Sequence, residues 1–166
     1  MSDIASFMLG EKADSLGRHI EQFLAYNHFW LEHAHKYIQV LFPIDQGTKF
    51  NRHAPLVTAA DRALFSSDPR LPAAHLNVLD LMLPFWGLTR DGEQIKSDLP
   101  FSANNHVWLR HQDHNQLRIT RAIRSLALLG NQNIALNLAQ FVVEHSQDFD
   151  AVSETTRQYW QQAPVV

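Results

Sequence analysis

Residues 31–43 read LEHAHKYIQVLFP, and this stretch decides the predicted fold because it joins a helical apolar period to a row of long polar side chains. Glu32, His35 and Gln39 follow one another at spacings of three and four, which places them on one face of a helix. Apolar residues at helical spacing form a second face, namely Trp30, Leu31, Ala34, Ile38 and Leu41. We therefore predict one helix that begins after Asn27 and stops at the proline, with a polar stripe beside a core stripe.

Length and composition favour a soluble globular domain, since the chain has 166 residues of which 45% are hydrophobic and 19% charged. It contains no cysteine, which excludes thiolate metal sites, cysteine nucleophiles and disulfides and favours a cytoplasmic location. The longest apolar run, LMLPFWG at residues 81–87, is too short to cross a bilayer, and the first residues lack a signal-peptide pattern. A net charge of −3 argues against nucleic-acid binding.

Helical periods separated by short breaks run along the rest of the chain, and no stretch alternates as a strand does. The apolar residues 70–85 predict a central helix, the most buried of the fold. The polar connection at 89–105 is interpreted as a lid, a small hairpin or an insertion. We predict an all-α fold: a single compact multi-helix domain over residues 1–166, with about seven or eight helices and long ordered loops.

A second polar constellation, HNQLRITR, occupies residues 114–121. If Leu117 and Ile123 face the core, Arg118 and Arg121 lie at the edges of an apolar helix, where an arginine is expected to have a carboxylate partner. Four arginines fall between residues 106 and 124 against one aspartate, whereas the charged residues of 141–154 are all acidic. Two explanations remain open, namely neutralisation within the fold and binding of an anion.

Three segments in order carry a resemblance to a known family: residues 31–43, LMLPFWG, and HNQLRITRAIRSLALLG at 114–130. Together they resemble the conserved domain of the opioid growth factor receptor family, over about residues 4–149, with 150–166 as a C-terminal helix. The first segment agrees with the family pattern LExxHxYIQWLFP except that Val40 replaces the tryptophan. Agreement extends to Met82, Leu83, Phe85, Gly87, His114, Asn115, Leu117, Arg118, Ile119, Thr120, Arg121 and Gly130.

The resemblance implies an all-α domain and a receptor-like role. Animal members are described as nuclear-associated receptors for the peptide Met-enkephalin and carry long additional C-terminal sequence, so this compact chain resembles a stand-alone bacterial member. We predict a non-enzymatic binding or regulatory protein without a cofactor, whose partner is a small anionic ligand or a peptide. Binding of an opioid peptide is implied by the family name alone.

Eight residues are the candidates for a binding site or for a structural polar network that fixes how helices cross: Glu32, His35, Tyr37, Gln39, His114, Asn115, Arg118 and Arg121. In the binding interpretation, Arg118 and Arg121 receive an anionic group while neighbouring side chains supply hydrogen bonds. An enzyme that uses a Glu/His/Arg cleft is the first alternative. A homo-oligomer formed through the last helix, with Tyr159 and Trp160, is the second.

The sequence contains little evidence for a metal-binding site or for a catalytic nucleophile. Glu32 and His35 have the Glu-x-x-His spacing of di-iron bundles, but such a site needs a second copy, and none occurs. His111 and His114 have a ligand-like spacing, yet a chain with ten histidines is expected to contain such pairs by chance. No nucleophile elbow or phosphate-binding glycine loop is present, so we assign no catalytic residue and no metal ligand.

Overall fold

The computed structural model describes residues 1–34, 36–47 and 54–166, and helices dominate this part of the chain. Its α-helices, in chain order, are α1 (Asp3–Met8), α2 (Ile20–Leu24), α3 (His28–His33), α4 (Tyr37–Leu41), α5 (Ala59–Ser67), α6 (Arg70–Phe85), α7 (His114–Leu128), α8 (Gln132–His145) and α9 (Glu154–Gln162). A 3-10 helix spans Val107–Leu109, and β1 (Thr89–Asp91) pairs antiparallel with β2 (Gln94–Lys96). The all-α class is confirmed, and a small hairpin occupies the connection after α6.

Helix ends lie where the capping residues place them. The side chains of Ser2 and Asn27 accept backbone N–H groups of α1 and α3. Thr58 and Asp61 form a reciprocal capping box at the start of α5. Gly130 follows α7 with a φ of +91°, a left-handed conformation that glycine adopts without steric penalty.

The single helix predicted across residues 28–43 is wrong, because the chain breaks between α3 and α4. Ala34 is extended, with a ψ of 146°, and Lys36 has a φ of 64° in the left-handed region. His35 lies outside the described residues. The break removes the continuous polar stripe, since α3 and α4 are separate helices and each has its own C-terminus. Trp30, predicted in the core stripe, is 50% exposed.

The core is centred on α7 rather than on α6. Nine of the fifteen α7 residues are buried, against seven of the sixteen in α6, so the prediction that α6 is the most buried helix is wrong. Asp80 illustrates the exposed side of α6: it faces solvent and forms a surface ion pair of 2.6 Å with Arg90.

Three tryptophans fill the centre of the fold, and each buried indole N–H has an acceptor. Trp86 donates to Asn115 Oδ1 at 3.2 Å, Trp108 to the carbonyl of Trp86 at 2.9 Å, and Trp160 to the carbonyl of Gln116 at 3.1 Å. Trp86, Trp108 and Trp160 are all fully buried. In the described ranges, no helix combines the length and hydropathy that a membrane span requires.

Candidate functional site

Arg118 of α7 holds the C-terminal end of α3. Its Nη1 donates to the carbonyl of Leu31 at 2.6 Å, and its Nη2 donates to the carbonyl of Ala34 at 3.3 Å. The last turn of a helix leaves carbonyl oxygens without intrahelical partners, and a guanidinium supplies donors and a complementary charge there. The Arg118 guanidinium also lies over the ring of Tyr37, 5.2 Å from its centroid.

Arg121, one turn further along α7, holds the end of α4 in the same way. Its Nε donates to the carbonyl of Phe42 at 2.8 Å, and its Nη2 donates to the carbonyl of Gln39 at 3.3 Å. Burial lowers the pKa of Arg121 to about 10, because desolvation penalises the charged form. The two short helices are thus fixed to α7 by two arginines three residues apart.

The expected carboxylate partners of these arginines are not found. Within residues 1–34, 36–47 and 54–166, neither Arg118 nor Arg121 has a carboxylate oxygen within 4.0 Å. Arg124 does have one, since Asp45 accepts from it at 2.9 Å. Backbone carbonyls therefore accept from part of the donor set of Arg118 and Arg121, while the charges of these two arginines have no counter-ion within 4.0 Å in the described structure.

Asn115 joins α7 to α3 and to α6. Its Oδ1 accepts from the indole of Trp86 at 3.2 Å and from Arg118 Nη1 at 3.3 Å. Its Nδ2 donates to Glu32 Oε2 at 3.3 Å and to Asp113 Oδ1 at 2.8 Å. The buried Asn115 amide thus accepts hydrogen bonds through its oxygen and donates them through its nitrogen. A group that only donates or only accepts could not replace it.

Glu32 and Tyr37 complete the contacts around α3. Glu32 Oε1 lies 3.1 Å from His114 Nε2, with both side chains partly exposed. The hydroxyl of Tyr37 donates to the carbonyl of Leu31 at 2.5 Å, so this oxygen accepts from both Tyr37 and Arg118. Burial raises the pKa of Tyr37 to about 12, with the Arg118 charge opposing the rise, so the phenol is neutral at physiological pH.

A groove of about 610 Å³ opens where α4, α7 and α9 meet. Its basic residues are Arg118, Arg121 and Arg124, which follow one another at i, i+3 and i+6. Its remaining lining is largely apolar or neutral, and comprises Ile38, Gln39, Ile44, Gln46, Leu117, Thr120, Tyr159, Gln162 and Ala163. The groove therefore combines positive charge with apolar walls.

Leu117 and Tyr159, which sequence reasoning did not place in a site, form the exposed walls of this groove. Leu117 is 66% exposed and Tyr159 is 51% exposed. The prediction that Leu117 faces the core is wrong, and the phase of the helix could have found this. Leu117 lies about 200° before the buried Ile119 on a helix of 3.6 residues per turn, which is nearly the opposite face.

Four of the eight candidate residues line two separate concavities, and His35 lies outside the described residues. Gln39, Arg118 and Arg121 line the groove, whereas Glu32 lines a separate depression of about 430 Å³ with Pro84 and Asn105. Asn115 and Tyr37 are fully buried, and His114 lines neither concavity. In the described part of the chain, no three His, Asp or Glu residues come together as metal ligands.

A serine and a histidine also approach each other away from the candidate residues. Ser97 Oγ lies 2.9 Å from Nε2 of the buried His106. The N–H of Ser102 donates to His106 Nδ1 at 3.4 Å, so the proton of the neutral ring belongs on Nε2. That nitrogen cannot accept the Ser97 proton, and the pair fixes the 97–106 loop rather than activating a nucleophile.

Comparison with known proteins gives consistent matches. Residues 12–163 match the family described as the opioid growth factor receptor conserved region. The human opioid growth factor receptor is 32% identical over 124 residues, which cover 72% of this chain and 18% of that protein. The mouse opioid growth factor receptor is 32% identical over 123 residues, covering 72% of this chain and 19% of that protein. Opioid growth factor receptor-like protein 1 of Xenopus tropicalis is 32% identical over 118 residues, covering 70% and 23%.

The chain thus spans about a fifth of the length of these relatives. No solved structure matches it. The matched region includes α2 to α9 and with them both arginines that hold α3 and α4. On the strength of that match, the chain belongs to the opioid growth factor receptor conserved-region family.

Proposed function

We propose that this chain is a non-enzymatic binding domain that receives the anionic end of a peptide in the groove between α4, α7 and α9. The observation that carries the proposal is Arg121, a half-buried cation without a carboxylate within 4.0 Å in the described residues, beside the exposed Leu117. A charge removed from water favours an opposite charge nearby, and a ligand carboxylate supplies one. The exposed apolar walls favour a ligand with a large apolar side chain.

Peptide chemistry fits both parts of the groove. A peptide C-terminus presents a carboxylate directly beside its last side chain, so the same ligand can reach a guanidinium and an apolar wall. Each arginine spends part of its donor set on backbone carbonyls, yet five N–H donors per guanidinium leave some for a ligand. The two arginine side chains are already ordered by these hydrogen bonds before the ligand binds, which reduces the conformational entropy lost on binding.

The names of the relatives support a binding role. Two of them are called receptors for the opioid growth factor, and our proposal carries only the receptor-like role to this chain. An opioid peptide is one candidate within the proposed ligand class. A cytoplasmic location, favoured by the lack of cysteine, belongs to the same proposal.

The enzyme alternative rests on the Glu32–His114 pair, a carboxylate beside a half-exposed imidazole. Glu32 lines a depression that it shares with Arg110 and not with Arg118 or Arg121, so one substrate would have to span both concavities to use Glu32 together with the two motif arginines. For the dimer alternative, Tyr159 is available at the surface whereas Trp160 is fully buried. Groove binding needs neither a spanning substrate nor a rearranged α9.

The test uses matched probes and matched variants. N-acetyl-phenylalanine and its C-terminal amide have the same apolar group and differ by one charge. Titration followed by NMR shifts of the α7 amides is expected to show binding of the acid in the groove and at least several-fold weaker binding of the amide. Leu117→Glu is expected to abolish binding by repulsion, whereas Leu117→Lys at the same exposed position retains it.

Arg157→Ala provides a control for the arginines, because Arg157 also donates to two backbone carbonyls, those of Ser146 and Val152, but lies outside the groove. Binding that survives Arg121→Ala as well as it survives Arg157→Ala would overturn the proposal, provided that both variants remain folded. Equal affinity for the acid and the amide would overturn it as well.

A further inference from the structure

The ion pair between Asp45 and Arg124 lies at the edge of the same groove. Asp45 accepts at both carboxylate oxygens, from Arg124 Nε at 3.2 Å and Nη2 at 2.9 Å. This two-point contact, with side chains 31% and 22% exposed, lowers the pKa of Asp45 mainly through the hydrogen bonds from Arg124. Nη1 of Arg124 donates to the carbonyl of Val165 at 2.5 Å, so the guanidinium is fixed on a second side.

The ion pair with Asp45 therefore distinguishes Arg124 from Arg118 and Arg121, the other two basic residues of the groove. All three arginines line the groove, but only Arg124 has a carboxylate within 4.0 Å among the residues that the structure describes. The neighbours of Asp45 in the chain, Ile44 and Gln46, also line the groove, which places the aspartate at its rim. The groove thus contains a third guanidinium, that of Arg124, and the carboxylate of Asp45 neutralises its positive charge.

We propose that Asp45 sets the charge of the ligand that the groove accepts, favouring a single carboxylate over a dianion such as a phosphate monoester. The inference rests on the proposed binding function and adds a specificity determinant to it. Neutralising Arg124 reduces the attraction for every anion, but the reduction is larger for a ligand with more charge. The groove therefore discriminates against dianions in favour of monoanions.

The expected size of the effect comes from Coulomb's law. A unit charge about 8 Å from the ligand, in a partly solvated groove with an effective dielectric constant near 50, changes the affinity of a monoanion roughly fourfold. The electrostatic energy is proportional to ligand charge, so a dianion changes by about the square of that factor, roughly sixteenfold. Screening reduces both factors at high salt but preserves the relation between them.

Asp45→Asn tests the inference, because asparagine keeps the shape and removes the charge. Asp68→Asn is the matched control, since Asp68 forms an ion pair of 2.7 Å with Arg70 outside the groove. The probes are N-acetyl-phenylalanine as the monoanion and phenyl phosphate at pH 8 as the dianion, titrated in low salt. Asp45→Asn is expected to tighten the first about fourfold and the second about sixteenfold, whereas Asp68→Asn changes neither.

The possible failures are distinguishable. If N-acetyl-phenylalanine binds and Leu117→Glu abolishes the binding, but Asp45→Asn changes the two probes equally or not at all, this inference is wrong and the proposed function stands. If neither probe binds the wild-type protein or Asp45→Asn, both are overturned. Thermal unfolding of Asp45→Asn checks that the variant remains folded. If the increase in affinity occurs in the groove, adding Leu117→Glu to Asp45→Asn abolishes binding of both probes.

Discussion

Arg118 donates a 2.6 Å hydrogen bond to the carbonyl oxygen of Leu31, a residue 87 positions earlier in the chain. This contact links the start of α7 to the end of α3, at the point where the predicted single helix breaks. The break leaves carbonyl oxygens without helical partners, and the arginine supplies the missing donors. The two motif segments of the sequence are therefore connected mainly at the ends of α3 and α4, which Arg118 and Arg121 hold, and also through Glu32, which contacts His114 and Asn115.

Replacing Arg118 by alanine is expected to destabilise the fold by about 3 kcal/mol, because partly buried carbonyls of Leu31 and Ala34 lose charge-assisted hydrogen bonds. Urea unfolding of the two proteins measures the difference. Arg70→Ala is the control, since the Arg70 side chain is 62% exposed and its ion pair with Asp68 lies in solvent, so its removal is expected to leave stability nearly unchanged. Equal losses in the two variants would contradict a capping role for Arg118.

Asn115→Ala is expected to lower the free energy of unfolding by about 2 kcal/mol, because the buried indole N–H of Trp86 loses its acceptor. A double-mutant cycle with Trp86→Phe identifies this cause. Phenylalanine has no donor to leave unsatisfied, so the combined loss is expected to be smaller than the sum of the single losses by about 1 kcal/mol. Strictly additive losses would show that the Asn115 amide acts through its other contacts.

Local signals in the sequence predicted much of this fold. The start of α3 after Asn27 depends on a few neighbouring residues, and the structure has it as predicted. The bounds of α6 followed from a long apolar period of the same kind. Such features need no knowledge of distant contacts, which is why the sequence was sufficient for them.

Long-range contacts account for what the sequence did not predict. Nothing near Lys36 in the chain indicates a left-handed residue, and the break there is compatible with the fold because Arg118 and Arg121 satisfy the helix ends from more than 75 residues away. The candidate residues themselves came from motif spacing, which does not show that four of them line two separate concavities. The exposure of Leu117 was predictable from its angular position on α7 relative to the buried residues of that helix. Because leucine is apolar, it was instead predicted to face the core.

His75 is expected to make the protein less stable in mildly acidic solution. The ring is fully buried, and desolvation lowers its pKa from 6.5 to about 4. Below pH 6.5 the unfolded chain binds a proton that the folded chain excludes, so stability is complete above pH 6.5 and is lost as the pH falls toward 4. The difference between the two pKa values corresponds to about 3 kcal/mol at the acidic limit.

The variant His75→Gln isolates this effect, because an amide can still donate to the Leu41 carbonyl, which now accepts from His75 Nε2 at 3.1 Å, but does not titrate. Urea unfolding at pH 7 and at pH 5 is expected to show a smaller loss for the variant than for the wild-type protein, by about 2 kcal/mol. Identical losses in both proteins would assign the acid sensitivity to other groups.

Val40 stands where the family pattern has a tryptophan, and it lines a cavity of about 280 Å³ with Ile4, Phe7 and Pro55. An indole at this position would fill apolar space instead of displacing packed side chains, so Val40→Trp is expected to stabilise the fold by about 1 kcal/mol. The matched variant Val57→Trp introduces the same group at a buried position that does not line the cavity, and it is expected to destabilise by about 2 kcal/mol through overpacking. Thermal and urea unfolding measure both changes, and a loss at Val40 as large as that at Val57 would mean that the cavity does not accommodate an indole.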